Sequence, residues 1–253
     1  MRREIIAAVT LLLAFFVLSY LIVMNNGIGL RENELRSLGK FYLENAFSHE
    51  GTYTSHSPEV VTAIIWNYRG FDTFFETFVF FLAIIGSLSA LRMTEKQKDM
   101  LKVLSTFERI RKMDLIIRGI TRVVVVMIVA ISASIALHGH LTPGGGFQGG
   151  AALTVATLLF FATHSKYTAE RKGLTLERSL GVYALGLLII ITTVLIPVYL
   201  GGRILEINLL GEVGLFNLDL GEYLAVGAGF LSIFLILGIP EKIFRELLRG
   251  EVE

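Results

Sequence analysis

Glu76 is the first residue whose type and place suit chemistry. It lies within a long apolar run, six residues after Gly70. That puts it roughly 9 Å along a helix starting there, at about 1.5 Å per residue. A carboxylate at the centre of a membrane-spanning helix costs about 2.5–3.5 kcal/mol on the insertion scale. An ionisable residue kept at such a position is a functional candidate by default. Asp72 stands one turn earlier on the same face, and Arg69 three residues before that. Two acids one turn apart suit cation attraction or proton relay. The competing reading is an interfacial Arg69–Asp72–Glu76 ladder that anchors the helix end.

Histidines offer less. His138 and His140 flank Gly139. The spacing suggests a metal pair, but no cysteine and no nearby carboxylate completes a site. Hydrogen bonding within a loop, or to polar groups of a neighbouring helix, suits them better. His164 closes a later apolar run, where it could snorkel or titrate in a proton path.

The most unusual stretch is Thr142-Pro143-Gly144-Gly145-Gly146-Phe147-Gln148-Gly149-Gly150. Pro143 fixes one backbone angle, and Gly144, Gly145 and Gly146 permit conformations closed to other residues. Gly149 and Gly150, followed by Ala151 and Ala152, give the next helix a flat face for close approach. Phe147 is the sole bulky group there, suited to a groove on a neighbour. A phosphate-binding loop is disfavoured, because no Lys-Ser/Thr follows. Asp219 and Glu222 read as marking the interface at the start of the last apolar run. Arg118 and Arg122 fit anchoring at the start of the third, and Trp66 and Tyr68 fit an interfacial aromatic belt.

The elements that must position these residues are apolar helices. Of 253 residues, 53% are hydrophobic and 18% charged, with a mean hydropathy of +0.65. That is too little polar surface to cover a soluble core. Six runs stand out, at 5–24, 71–91, 120–137, 148–163, 180–200 and 220–239. Most approach the roughly 20 residues a helix needs to cross the hydrocarbon core. The fourth is short and is expected to recruit part of the Gly-rich stretch. The first is longer than a signal-peptide core and lacks a small-residue cleavage site, so it reads as a retained helix. The fold class expected is all-α, a polytopic membrane protein with about six transmembrane helices.

Charge tests that count. Basic residues crowd the segment from Arg92 to Arg118, the loop holding Lys166, Arg171, Lys172 and Arg178, and the tail holding Lys242, Arg245 and Arg249. With six spans these fall on one side, together with Arg2 and Arg3. The intervening loop 137–147 has no Lys or Arg, and 201–219 has only Arg203. The positive-inside rule therefore puts both termini in the cytoplasm. Amphipathic surface helices are expected over 34–47 and within 93–117. The net charge of +1 decides nothing here. The chain has no cysteine, which excludes disulfides, thiolate metal sites and cysteine-ligated iron–sulfur clusters within it.

The run His138-Gly-His-Leu-Thr-Pro143-Gly-Gly-Gly-Phe147-Gln-Gly-Gly150 resembles the signature of the MnhB (MrpB) family, a small component of Mrp-type multisubunit sodium/proton antiporters. Phe216-Asn-Leu-Asp219-Leu-Gly221 is similar to that family's approach to its last helix. The earlier run Trp66-Asn-Tyr-Arg69-Gly70-Phe71-Asp72-Thr73-Phe-Phe-Glu76 resembles the C-terminal portion of the large first component of the same antiporters. It is also similar to a small component of archaeal membrane-bound hydrogenases. Phe75 departs from that pattern, which has a small residue before the glutamate.

The resemblances imply three parts. These are a two-helix segment at 1–92 similar to the end of the large component, a cytoplasmic linker at 93–117 and a four-helix MnhB-like domain at 118–253. They also imply an accessory membrane subunit of a Na+/proton antiporter module, in the cell membrane among other membrane subunits. The fused arrangement favours coupling to a redox arm, with any iron–sulfur or nickel–iron centres on partner subunits and no cofactor in this chain. Na+ and H+ would be the transported ions. The implied ion pathway involves Glu76, with Asp72 and His164. Pro143, Gly144, Gly145, Gly146, Phe147, Gly149 and Gly150 would shape helix packing or subunit contact. No span holds a mid-membrane lysine, so the pumping lysines would lie elsewhere. The alternatives are a structural scaffold, an independent transporter, and a component of a stand-alone antiporter.

Overall fold

The computed structural model describes residues 2–24, 35–47, 51, 53–90, 115–164 and 166–237. It divides into two compact units, Met1–Phe41 and Tyr42–Glu253. In the first, α1 runs Arg2–Met24, 23 residues. Its apolar part, Val9–Met24, is shorter than the five candidate spans of the second unit. A short helix, α2, occupies Ser37–Asn45, inside the expected 34–47. Residues 91–114 lie outside the described residues, and so does most of the interfacial helix expected within 93–117.

The second unit is a bundle. α3 (Val60–Thr62) continues into a π-helical turn, Ala63–Tyr68, and then α4 (Gly70–Ala90). α5 is Leu115–Leu137, α6 Gly146–His164, α7 Lys166–Arg171, α8 Leu176–Tyr199 and α9 Glu212–Leu237. α4, α5, α6, α8 and α9 are each long and apolar enough to cross a membrane. The chain is an all-α polytopic membrane protein. α6 begins at Gly146, so it does recruit the end of the Gly-rich stretch. α9 begins at Glu212, eight residues before the apolar run read from the sequence. Its first turns carry the polar residues Glu212, Asn217 and Asp219, which hid its start from a hydropathy reading.

α9 is the central helix. It packs against α8, α6, α4 and α5. Small residues let these backbones approach: a Cβ on Gly186 of α8 would lie 2.6 Å from Gly221 O and from Ala225 N of α9. Two apolar clusters hold the bundle. One gathers Trp66, Ile190, Val194, Leu205, Ile207, Leu215 and Leu218. The other joins Ile84 of α4 to Tyr183 of α8 and to Ala225 and Ala228 of α9. Trp66 is 1% exposed, so it belongs to this core rather than to an interfacial belt. Tyr68 stacks on Tyr42 at 5.0 Å.

Three connections meet at one end of the bundle. Ser57 Oγ donates to His140 O at 2.9 Å, and Thr62 Oγ1 donates to Gly139 O at 2.6 Å. Leu205, between α8 and α9, lies against Gly70 at the start of α4. Two of these connections, 137–147 and 201–219, are poor in Lys and Arg.

Candidate functional site

The site forms where α6 starts. The first N–H groups of a helix have no acceptor within it, and the local sequence Gly144-Gly145-Gly146 provides no side chain to cap them. α9 supplies acceptors instead. Gly146 N–H donates to Asp219 Oδ1 at 3.4 Å, and Phe147 N–H donates to Glu222 Oε2 at 3.0 Å. Asp219 and Glu222 are three residues apart, so they share one face of α9. Carboxylates at a helix N-terminus are also favoured by the helix dipole.

Glycine is what permits this approach. A Cβ on Gly146 would collide with Asp219 O and lie 2.7 Å from Glu222 Cβ. Gly145 adopts φ +143°, a conformation that side-chain-bearing residues avoid. A Cβ on Gly139 would lie 2.7 Å from Asp219 Oδ2. Gly144 lies against Ile135 O of α5, at 2.8 Å from its would-be Cβ. Gly149 faces α5, with Ser132 O and Ala136 Cβ each 2.7 Å away, and Gly150 faces Val226 Cβ of α9 at 2.8 Å. Phe147 is partly exposed and meets Phe80 of α4 edge-on at 6.1 Å.

Asp219 and Glu222 are among the residues that line a cavity of 180 Å³. Its polar lining is Thr62, Thr73, Glu76, Gln148, Asp219 and Glu222, and no Lys, Arg or His lines it. Asp219 is 1% exposed and Glu222 8%. Glu76 and Gln148 are exposed at its mouth. Asp219 Oδ2 is buried without a hydrogen-bond partner. Trp66 approaches the same carboxylate but completes no hydrogen bond to that oxygen. Two larger surface clefts, of 270 and 300 Å³, flank Tyr68 and Leu205. Each contains an arginine as well as a carboxylate, so neither concentrates one sign of charge.

The cavity thus brings together Glu76, Gly144, Gly145 and Phe147. It does not include Asp72 or His164. Asp72 is held by Arg69, whose Nε donates to Asp72 Oδ2 at 2.7 Å, on the exposed start of α4. The ladder stops there, and Glu76 turns to the cavity. His164 lies at the other end of α6, about 27 Å along the helix from Gly146. It is buried, stacks on Phe160 at 4.7 Å, and accepts from Arg122 Nε at 3.3 Å.

His138 and His140 point to different partners. His138 Nδ1 meets Ser134 O at 3.0 Å, whereas the His140 ring packs edge-on to Phe216 at 6.0 Å. Burial pushes the His140 imidazole below its usual range, partly opposed by Glu212. Among the described residues, no three His, Cys, Asp or Glu side chains form a group that could hold a metal ion.

Asp219 and Glu222 are the site residues that sequence reasoning missed. With α9 starting at Glu212, they lie about 10 and 15 Å into the helix, not at its edge. Their signal was the three-residue spacing beside a Gly-rich turn elsewhere in the chain.

A bundle of long apolar helices around a pocket of acids defines an all-α polytopic membrane protein. The family described as "Domain related to MnhB subunit of Na+/H+ antiporter" matches residues 116–232. The chain is 31% identical over 140 residues to the B component of the Na(+)/H(+) antiporter of Alkalihalophilus pseudofirmus, covering 51% of this chain and 96% of that protein. An uncharacterized protein of Methanocaldococcus jannaschii is 31% identical over 145 residues, covering 53% of this chain and 55% of that one. The chain therefore spans about half the length of that relative.

Among solved structures, the Mrp complex from Dietzia sp. DQ12-45-1b contains a similar fold. Its TM-score is 0.62 at 20% identity, over 92% of this chain and 26% of that one. The membrane-bound sulfane sulfur reductase, an archaeal respiratory membrane complex, matches with TM-score 0.57 at 25% identity, over 93% of this chain and 99% of that one. The chain belongs to the MnhB-related family of Na+/H+ antiporter subunits.

Proposed function

We propose that this chain is an accessory membrane subunit of an Mrp-type Na+/proton antiporter module in the plasma membrane, and that ions pass by Glu76. One observation carries the reading. Glu76, from α4, shares a cavity with Asp219 and Glu222 of α9. Residues 1–92 are the part similar to the large antiporter component and 118–253 the MnhB-like part, joined by a cytoplasmic linker. The cavity supports that fusion, because it takes acids from both parts. An exposed carboxylate inside an apolar span needs water or a partner beside it, which supports a place among other membrane subunits. Both termini face the cytoplasm in this reading. Asp72, paired with Arg69, guards the approach to Glu76, and His164 serves the opposite end.

The Glu76→Gln variant tests this reading. The complex should assemble normally on native gels, while Na+-dependent transport in vesicles falls about tenfold or more, a barrier change of ~1.4 kcal/mol. Full transport by an intact variant complex would overturn the conducting role. It would leave a scaffold, a reading favoured by the close glycine contacts of α6 with α5 and α9.

Coupling to a redox arm is supported by the likeness to the sulfane sulfur reductase complex. Iron–sulfur or nickel–iron centres would then reside on partner subunits. Iron in the purified native complex would bear this out, and its absence would favour a stand-alone antiporter.

A further inference from the structure

The geometry points to a binding site for the phosphate of an anionic phospholipid where α5 starts and α6 ends, formed by Arg118, Arg122 and Lys172. The site lies at the opposite end of α6 from the cavity. It stands whether or not ions pass by Glu76.

Position is the first ground. Arg118 and Arg122 are four residues apart in the first turns of α5, so they share one face. His164 orients the second of them. Thr163 Oγ1 donates to Leu159 O at 2.9 Å, so it accepts from His164 Nδ1, also at 2.9 Å. His164 Nε2 then accepts from Arg122 Nε at 3.3 Å. The imidazole serves as the neutral Nδ1–H tautomer and leaves the terminal nitrogens of Arg122 for a ligand. Lys172 reaches the same place from the connection after α7. Its Nζ lies 5.5 Å from the centroid of the Phe160 ring, which stacks on His164 at 4.7 Å.

Charge is the second ground. The charges of Arg118, Arg122 and Lys172 all act on His164, and all are positive. Among the described residues, no carboxylate forms an ion pair with any of the three. Glu170 and Glu177 are near in sequence, on α7 and in the first turn of α8, yet pair with none of them. Arg118 is half-buried, with Nε enclosed and no acceptor beside it. The C-terminus of α6 offsets only about half a charge. Two guanidiniums and an ammonium brought together in this way match the oxygens of a phosphate, which the arginine fork binds in bidentate fashion.

The surface beyond them selects a lipid over free phosphate. The face that carries Arg118 and Arg122 continues to Val126, 67% exposed, and Val129, 38% exposed. Val126 lies about 6 Å further along the helix than Arg122. An acyl chain lying on that strip would hang directly beneath a phosphate on the two guanidiniums. Arginines at the ends of spans extend to headgroup level in the same way. With both termini in the cytoplasm this end faces the cytoplasmic leaflet, where basic pockets between spans collect anionic headgroups.

The test is native mass spectrometry of the purified, delipidated native complex, titrated in detergent with phosphatidylglycerol or with phosphatidylcholine. At equal lipid concentration the wild-type complex should hold a further phosphatidylglycerol compared with an Arg122→Gln, Lys172→Gln double variant. Both complexes should hold the same number of phosphatidylcholines. An Arg122→Lys, Lys172→Arg variant keeps the charges and should keep the lipid. Arg203→Gln removes a cation from a different loop and should also keep it. Should the double variant fail to assemble, Lys172→Gln, at an exposed position, carries the test. It should weaken phosphatidylglycerol binding about threefold or more.

Equal phosphatidylglycerol occupancy in the wild-type complex and the assembled variants overturns the proposal. An equal loss of phosphatidylcholine also overturns it, since the strip alone would then bind. Displacement of the further lipid by inorganic phosphate at the same concentration as the lipid overturns the choice of a lipid, because the acyl strip would add nothing.

Discussion

At the scale of single residues, the buried polar groups decide behaviour. His140 is enclosed between the segment around Ser57 and Phe216, and burial depresses its imidazole pKa in the folded state. The unfolded chain binds the proton more readily, so this histidine's contribution is fully present above about pH 6.5 and is lost as pH falls from there through the lower folded value. The detergent-solubilised protein should melt at a lower temperature at pH 5.5 than at pH 7.5. Replacing His140 with Asn should shrink that difference, and an identical pH dependence would refute the assignment. Trp66 sits in the larger apolar cluster. Trp66→Ala should cost ~3–5 kcal/mol of stability, read as a clear loss of thermal midpoint. An interfacial tryptophan would cost far less, so the melt separates core from belt. Glu76 was legible as a candidate because one charge in an apolar run is conspicuous. Asp219 and Glu222 were not, because hydropathy marks where a run becomes uniformly apolar and α9 begins two turns earlier.

At the scale of elements, glycine spacing determines which helices touch. Gly149→Ala would place a Cβ 2.7 Å from Ser132 O and from Ala136 Cβ. Backbone cannot move aside cheaply, so the expected cost is ~1–3 kcal/mol. Leu at 149 or 150 should abolish assembly altogether, read as loss of complex on native gels. Gly181 is the control. Nothing lies within 4 Å of its would-be Cβ, and Ala improves helix propensity by about 0.8–1 kcal/mol. Gly181→Ala should therefore melt at or above the wild-type temperature. If both alanine variants behaved alike, close packing would not explain these glycines. The α6 start shows the same logic. Pro143 and the glycines promise a special turn from sequence, but they do not say which helix caps it. The acceptors lie 73 and 75 residues away in the chain.

At the scale of the whole molecule, the loops around 57, 140 and 205 meet at one end of the second unit. Two of them, around 140 and 205, carry few basic residues. The absence of cysteine makes sidedness directly measurable, because one introduced thiol is the only label site on this chain. Thr142→Cys, on an exposed turn, should react with a membrane-impermeant maleimide added outside intact cells. Lys172→Cys, on the basic loop, should react only after permeabilisation. The opposite pattern would invert the assigned topology.

Sequence by itself determined the helical membrane fold, the positions of the apolar runs and the prominence of Glu76. Run length and loop charge are local quantities, and the cost of burying a charge in hydrocarbon does not depend on which neighbour is present. Only the tertiary structure decided that α9 caps α6, that Trp66 lies inside, and that Glu76 shares a cavity with Asp219 and Glu222 while Asp72 and His164 lie apart. Those relations depend on which helix faces meet, and that is set by backbone approach at glycines distant in sequence, which no local pattern encodes.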